Sequence, residues 1–256
     1  MKTWNALMKK EWMEQVRTEK LMILGTVFVL FGIMNPAIAK LTPWLLKTMA
    51  DSLAESGMIV TDVTVSALDS WVQFFKNIPM ALIIFVLVEG GIFTREYQSG
   101  TLVLALTKGL DRKKVVLTKA LTLFLLWSVG YWLCFGITYG YNMYFWDNAV
   151  ANHLLFSVTG WWLFGVWVIA LMILFSSVAT ANTGVFLGAG GGALAAYLVS
   201  LFPKLKLYSP AMLTEANALI YGKEEPTGYM TAIVVTIVTG IICLVGSLVL
   251  IKKKKL

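Results

Sequence analysis

Charge is scarce in this sequence, and so are the residues from which proteins build catalytic and metal sites. Only 14% of its 256 residues are Asp, Glu, Lys or Arg, while 58% are hydrophobic. Soluble globular chains hold about 25% charged and about 45–50% apolar residues, so a water-soluble domain is excluded. The two cysteines, Cys134 and Cys243, fall inside apolar runs. They read as small buried hydrophobes and supply neither a disulfide framework nor a metal site. The one histidine, His153, stands in a short loop near Asn148 and Asn152 with no second ligand beside it, and reads as a solvated loop residue. The spans hold no Ser–His or Asp–Asp pairing and no HExxH, and no GxxxxGKS/T occurs anywhere. There is then no catalytic or metal-ligating residue to name, the chain reads as not an enzyme, and it does not bind nucleotide through a P-loop. The net charge of +7 does not point to nucleic acid, because the basic residues flank apolar runs and form no single patch. Positive charge beside membrane spans serves topology and lipid headgroups.

What is abundant is apolar length. Six segments, 21–39, 73–93, 117–141, 154–178, 184–202 and 229–251, approach or exceed the roughly 20 residues that a bilayer crossing needs. The second is interrupted at its start by Lys76, Asn77 and Pro79. None shows strand alternation, and backbone groups in lipid must be satisfied internally, so all six read as helices. The fold class is an all-α integral membrane protein, with residues 1–20 as an interfacial helix that precedes the first span and residues 21–256 forming a six-span domain. With the N-terminus inside, inner segments hold fifteen Lys and Arg and outer segments six, which places both termini in the cytoplasm. Ala37-Ile38-Ala39 mimics a signal-peptidase site, but the long stretch before the first span carries Glu11, Glu14 and Glu19, unlike a short basic leader.

The opening residues, MKTWNALMKKEWMEQVRTEK, gather Trp4, Leu7, Met8, Trp12 and Val16 near one helical face, with Lys9, Lys10, Glu14 and Arg17 mostly elsewhere. That is an interfacial amphipathic helix, either a simple anchor or a partner contact. Residues 40–72 form a long outer connection. The shorter one, 203–228, combines three prolines with the apolar AMLTEANALI and suggests a re-entrant or surface-lying helix. In the fifth span Gly184, Gly188, Gly192 and Ala196 recur every four residues, a stripe that admits a close helix neighbour within or between subunits. Glu89 is the acidic residue deep in a span. It either faces water or a basic partner near Arg95 in a structural or gating role, or couples transport to an ion. Trp132, Tyr139, Tyr141, Tyr144, Trp146, Trp161 and Trp162 gather near the outer interface, as an aromatic belt does.

Between the second and third spans runs EYQSGTLVLALTKGLDRKKV, Glu96 to Val115. Ser99 can cap a short helix over 101–108, Gly109 suits its C′ position, and Asp111 can cap a new helix from Arg112. Leu102, Val103, Leu104, Leu106 and Leu110 are more apolar than a solvated loop tolerates, which implies a partner or the membrane surface. Here, with the KKEWMEQ of the N-terminal helix, the six spans and the outer segment before the last span, the chain resembles the membrane subunit of an ATP-binding-cassette exporter of the type-2 permease family. The resemblance covers nearly the whole chain. It implies that the short segment is a coupling helix docking in a cleft of the ATPase, with Glu96, Gly100, Thr101, Leu104, Lys108 and Arg112 as its docking element and Lys9, Glu11 and Glu14 as a second contact. It implies two ATPase subunits carrying the ATP and Mg that this chain cannot hold, and a second permease copy or a paralogue. The expected function is export of a hydrophobic or amphipathic substrate such as a drug, an antimicrobial peptide or a lipid-like molecule. The alternatives are an ion-coupled secondary transporter or channel using Glu89, and a non-transporting protein that sequesters a toxic peptide.

Overall fold

The computed structural model of the protein describes residues 2–49, 64–100, 107 and 110–253. In chain order its α-helices are α1 (Lys2–Arg17), α2 (Lys20–Thr48), α3 (Ala67–Glu89), α4 (Thr94–Gln98), α5 (Arg112–Phe145), α6 (Leu154–Val178), α7 (Asn182–Ser200), α8 (Pro203–Lys206), α9 (Ala216–Ile220) and α10 (Met230–Lys253). Short 3₁₀ turns join several of them, and the described residues contain no strand. Six helices, α2, α3 with α4, α5, α6, α7 and α10, are long and apolar enough to cross a membrane. Large apolar side chains such as Met22, Leu30, Leu187 and Ile242 stand on the outside of the bundle, a surface that suits hydrocarbon and not water.

The spans begin and end beyond their apolar runs, which shortens the expected 40–72 connection. Residues 40–48 continue α2, where the hydroxyls of Thr42 and Thr48 donate to the Ile38 and Trp44 carbonyls at 2.8 and 2.9 Å. Residues 67–72 already belong to α3, because Ser66 and Asp69 form a capping box that starts the helix ahead of its apolar run. Asp111 caps α5 as expected, accepting from the Lys113 backbone N–H at 3.0 Å. Lys76, Asn77 and Pro79 do not break α3.

Two prolines, Pro36 and Pro43, lie inside α2. Proline at position 36 cannot donate to the Gly32 carbonyl one turn back. The Thr138 hydroxyl of α5 fills that vacancy, donating to the Gly32 oxygen at 3.0 Å. The same hydroxyl accepts from Asn35 Nδ2 at 3.0 Å, and Asn35 Oδ1 accepts from Asn77 Nδ2 at 2.7 Å. A three-helix polar chain thereby satisfies groups that lipid could not. Gly32 lets α2 and α5 meet closely here, since a Cβ added to it would lie 2.9 Å from Ile137 Cβ.

The core is aromatic. Trp71, Phe74, Phe85, Trp127 and Tyr131 are fully buried between α3 and α5. Tyr131 OH donates to the Val158 carbonyl at 2.7 Å and Trp127 Nε1 to the Trp162 carbonyl at 3.1 Å, fixing α5 to α6. Helix α6 is the most enclosed span; α7 and α10 flank it and leave most of their surface outward. Trp161 departs from the aromatic belt expected of it: it is buried, and its indole donates to the Thr214 carbonyl at 3.0 Å. That bond anchors the segment 203–229, which folds back as short turns over the bundle end. Its Ala211, Met212, Leu213, Leu219 and Ile220 are buried, so this apolar stretch covers protein and does not lie free on a surface.

Candidate functional site

Opposite that cap, the other end of the bundle collects most of the chain's buried charge. Helix α1 lies against α5 and α2, with the reverse of the usual polarity. Its apolar Trp12, Met13 and Val16 point outward, while Glu11 and Gln15 are buried at 2% exposure each. The outward face suits the lipid interface. The inward face is chemically specific, because buried carboxylates and amides demand partners.

Lys119 supplies the first partner. It sits two turns inside α5, fully buried, and its Nζ contacts both Glu11 carboxylate oxygens at 3.0 Å and Glu96 Oε1 at 3.2 Å. Lys10 completes the cluster from the rim, bonding Glu96 and approaching Glu11 and Glu14 at 3.3 and 3.9 Å. Burial alone would lower the Lys10 ammonium's pKa. The hydrogen bond with Glu96 and the charges of Glu11, Glu96 and Glu14 outweigh it and raise the value. A raised lysine adds stability that is fully present below its unfolded value of about 10.4 and is lost only as pH rises through the higher folded value. The Lys10 bond is therefore constant across physiological pH. Glu11, Glu14 and Glu96 bring carboxylate oxygens within 4.8 Å of one another, a spacing compatible with a cation. Lys10 and Lys119 already stand among them and supply the positive charge that such a group needs.

A second pair lies one layer deeper. Glu89, with no exposed surface, accepts from Lys20 Nζ at 3.1 Å and from Gln15 Nε2 at 2.9 Å through the same oxygen. Of the expected alternatives, water or a basic partner near Arg95, burial removes the first, and the basic partner is Lys20. Lys20 starts α2 directly after Glu19, whose φ of 58° is left-handed and breaks the helix between α1 and α2. Glu89 Oε1 and Gln15 Oε1 have no hydrogen-bond partner among the described residues.

The other expected site residues fall as follows. Thr101, Leu104, Lys108 and Gly109 lie outside the described residues, and with them the short helix over 101–108. Ser99 follows α4 with helical backbone angles, and its hydroxyl donates to the Glu96 carbonyl at 3.4 Å. Gly100 has φ +68° and open space where a Cβ would stand, so glycine is there for backbone freedom and not for room. Arg112 donates to the Ile251 and Lys252 carbonyls at 3.0 and 3.3 Å, capping the last turn of α10. Glu14 is half-buried and Lys9 is exposed, whereas Glu11 is turned into the bundle toward Lys119. The small-residue stripe of α7 faces α6 within the chain. A Cβ on Gly188 would meet the Phe175 ring at 2.2 Å and one on Gly192 would meet Leu171 Cδ1 at 2.9 Å, while the Ala196 carbonyl accepts from Ser209.

Reasoning from sequence passed over Lys119, Lys20 and Gln15 as site residues. Lys119 did carry a signal, as a lysine well inside an apolar stretch, VVLTKALTL, which is costly unless paired. Gln15 carried none, since its burial depends on how α1 is rolled.

What this end can do is mechanical. The segment between α4 and α5 is gripped at both ends, by Glu96 in the ionic cluster and by Arg112 on α10. Helix α1 is bound to the same cluster. Over residues 5–255 the chain matches the family described as ABC-2 family transporter protein. It is also similar to the uncharacterized transmembrane protein YxlG of Bacillus subtilis (strain 168), with 24% identity over 235 residues and 88% of each chain covered. The family match takes in α1, all six spans and the α4–α5 connection, and by it the chain belongs to the ABC-2 family of transporter proteins, as the membrane-embedded permease component that partners an ABC ATPase.

Proposed function

We propose that this permease exports a hydrophobic or amphipathic substrate, driven by two ATPase subunits that dock on residues 99–112 and carry the ATP and Mg. In this reading both termini and the charged end face the cytoplasm, and two permease copies, or this chain and a paralogue, complete the pathway. Closure of the ATPases pushes the docking segment. The push reaches α5 and α10 through Arg112, and α1 and α3 through Glu96, Lys119 and the adjoining Glu89–Lys20 pair. The helices then move as packed bodies between inward- and outward-open arrangements. The observation that carries this reading is the grip on the segment: an apolar connection held by buried ion pairs on one side and by a helix cap on the other. A loop that only joined two spans would need neither.

The Glu89–Lys20 pair favours a structural role for Glu89 over ion coupling, because a carboxylate already neutralised by lysine has little affinity left for a transported cation. The test is the intact mass of the complex extracted through a tag on this chain. Two permease chains with two P-loop ATPase chains is the expected result. A chain that is always recovered without an ATPase, and that transports by itself along an ion gradient, would replace this reading with the secondary-transport one.

A further inference from the structure

On the flank of the bundle, α5, α6 and α10 diverge to leave a cleft of about 370 Å³. Leu117, Leu121 and Phe124 of α5, Trp167 of α6, and Ile237 and Leu244 of α10 line it. Ligand pockets of drug size begin at about 300 Å³. The polar groups at its wall are satisfied internally: the Thr236 hydroxyl donates to the Ala232 carbonyl at 2.6 Å, and the Trp167 indole donates to Thr239 Oγ1 at 3.0 Å. A cleft with nothing left to donate or accept takes hydrocarbon.

Its depth and its mouth narrow the occupant further. On α5 the lining runs from Leu117 to Phe124, about 8 to 18 Å from the start of the helix, a length of about 10 Å that fits within one leaflet of a hydrocarbon core about 30 Å thick. Lys113 lies one turn before Leu117 on that stripe, and Lys114 seven residues before Leu121. On α10 the stripe through Leu244 continues past Leu248 to Lys252. The Arg112 bonds to the Ile251 and Lys252 carbonyls bring the two helix ends together, so the backbone positions of the three lysines gather at this end of the two stripes. All three are exposed, and no acidic partner pairs with any of them among the described residues.

We propose that this cleft is a binding site for an anionic phospholipid, with one acyl chain between α5, α6 and α10 and the phosphate on Lys113, Lys114 and Lys252. The site rests on the proposed cytoplasmic orientation only for which leaflet supplies the lipid. Detergent micelles have no sidedness, so a binding experiment in them fails or succeeds independently of that orientation, which labelling of an engineered cysteine from each side of the membrane reads separately.

The test uses the full chain in micelles containing equal phosphatidylglycerol and phosphatidylcholine of the same acyl chains, with bound lipid read by native mass spectrometry. Wild type is expected to retain phosphatidylglycerol over phosphatidylcholine, by roughly fivefold for each lysine engaged. Lys113→Glu, Lys114→Glu and Lys252→Glu combined should bring that ratio to parity or below while still carrying lipid. Gly240→Leu should lose the adduct, because a Cβ there meets only Trp167 Cδ1 at an ordinary 3.8 Å and the rest of the side chain fills the cleft. Should either variant fold poorly, the thermal shift of wild type decides: phosphatidylglycerol raises Tm and phosphatidylcholine does so far less. Equal shifts, an unchanged ratio in the triple variant, or an undiminished adduct in Gly240→Leu would each overturn the proposal. So would displacement of the lipid by a transported substrate, which would make the cleft part of the transport path.

Discussion

Lys119 faces Glu11 and Glu96 at 3.0 and 3.2 Å, itself fully buried. Removing one member of a buried ion pair strands the other, which costs about 3–5 kcal/mol, far more than the pair gains over a well-packed apolar isostere. Lys119→Met should therefore lower the thermal stability of the detergent-solubilised protein by an amount of that order, read as a fall in Tm. Lys119→Met with Glu11→Met and Glu96→Gln, which removes the stranded carboxylates as well, should recover most of the loss. If the single and triple variants melt together, the cluster does not hold α1. Lys10 makes the opposite case. Its ammonium is about half exposed and its pKa is raised, so Lys10→Met should be milder, and the wild-type bond should hold from neutral pH upward until the lysine deprotonates well above the neutral range. These residues also mark how far sequence could be read. Glu89 was legible as a buried carboxylate because charge is rare in an apolar run. Its partner was not, because Lys20 follows the left-handed break at Glu19, a backbone event that composition does not signal.

Individual helices were legible where their ends carry chemistry. Asp111 before Arg112 announced the start of α5, and the structure confirms the cap. The amphipathic character of α1 was also visible, but its roll was not. An interfacial helix was expected to turn its apolar face outward to lipid, as Trp12, Met13 and Val16 do, but that the bundle would take Glu11 and Gln15 was not signalled. The α7 stripe was legible as a close contact, and the neighbour it meets, α6 of the same chain, required coordinates. Gly188→Leu would drive its side chain into the Phe175 ring, and an overpacked core typically loses about 1–3 kcal/mol. Gly190→Ala, where a Cβ meets open space, should leave the melting temperature of the isolated permease near wild type. Equal effects of the two would deny the α6–α7 contact. At the foot of α4, Gly100→Val must adopt φ +68°, which costs a non-glycine residue about 1–2 kcal/mol. Its expected signature is reduced ATP-driven transport with the six spans intact, measured in proteoliposomes against helicity by circular dichroism.

On the scale of the whole molecule, the six spans form a bundle closed at one end by the folded 203–229 cap and braced at the other by two linked ionic clusters. The braced end is where force from an ATPase would enter, and the path from there into α1, α3, α5 and α10 runs through named side chains. Class and span number were legible from apolar length alone, because a bilayer leaves the backbone few options. The polar chain of Asn35, Asn77 and Thr138 was not, because its members come from three helices far apart in sequence. The central claim is that ATP hydrolysis on a partner is converted to transport through residues 99–112. Its most direct test is the reconstituted complex carrying Leu104→Asp, assayed for ATPase stimulation by permease and for substrate export in the same vesicles. The account predicts that both fall together, several-fold, while thermal stability of the permease stays at the wild-type value. Wild-type export and stimulation in that variant, with the complex still assembled, would contradict it.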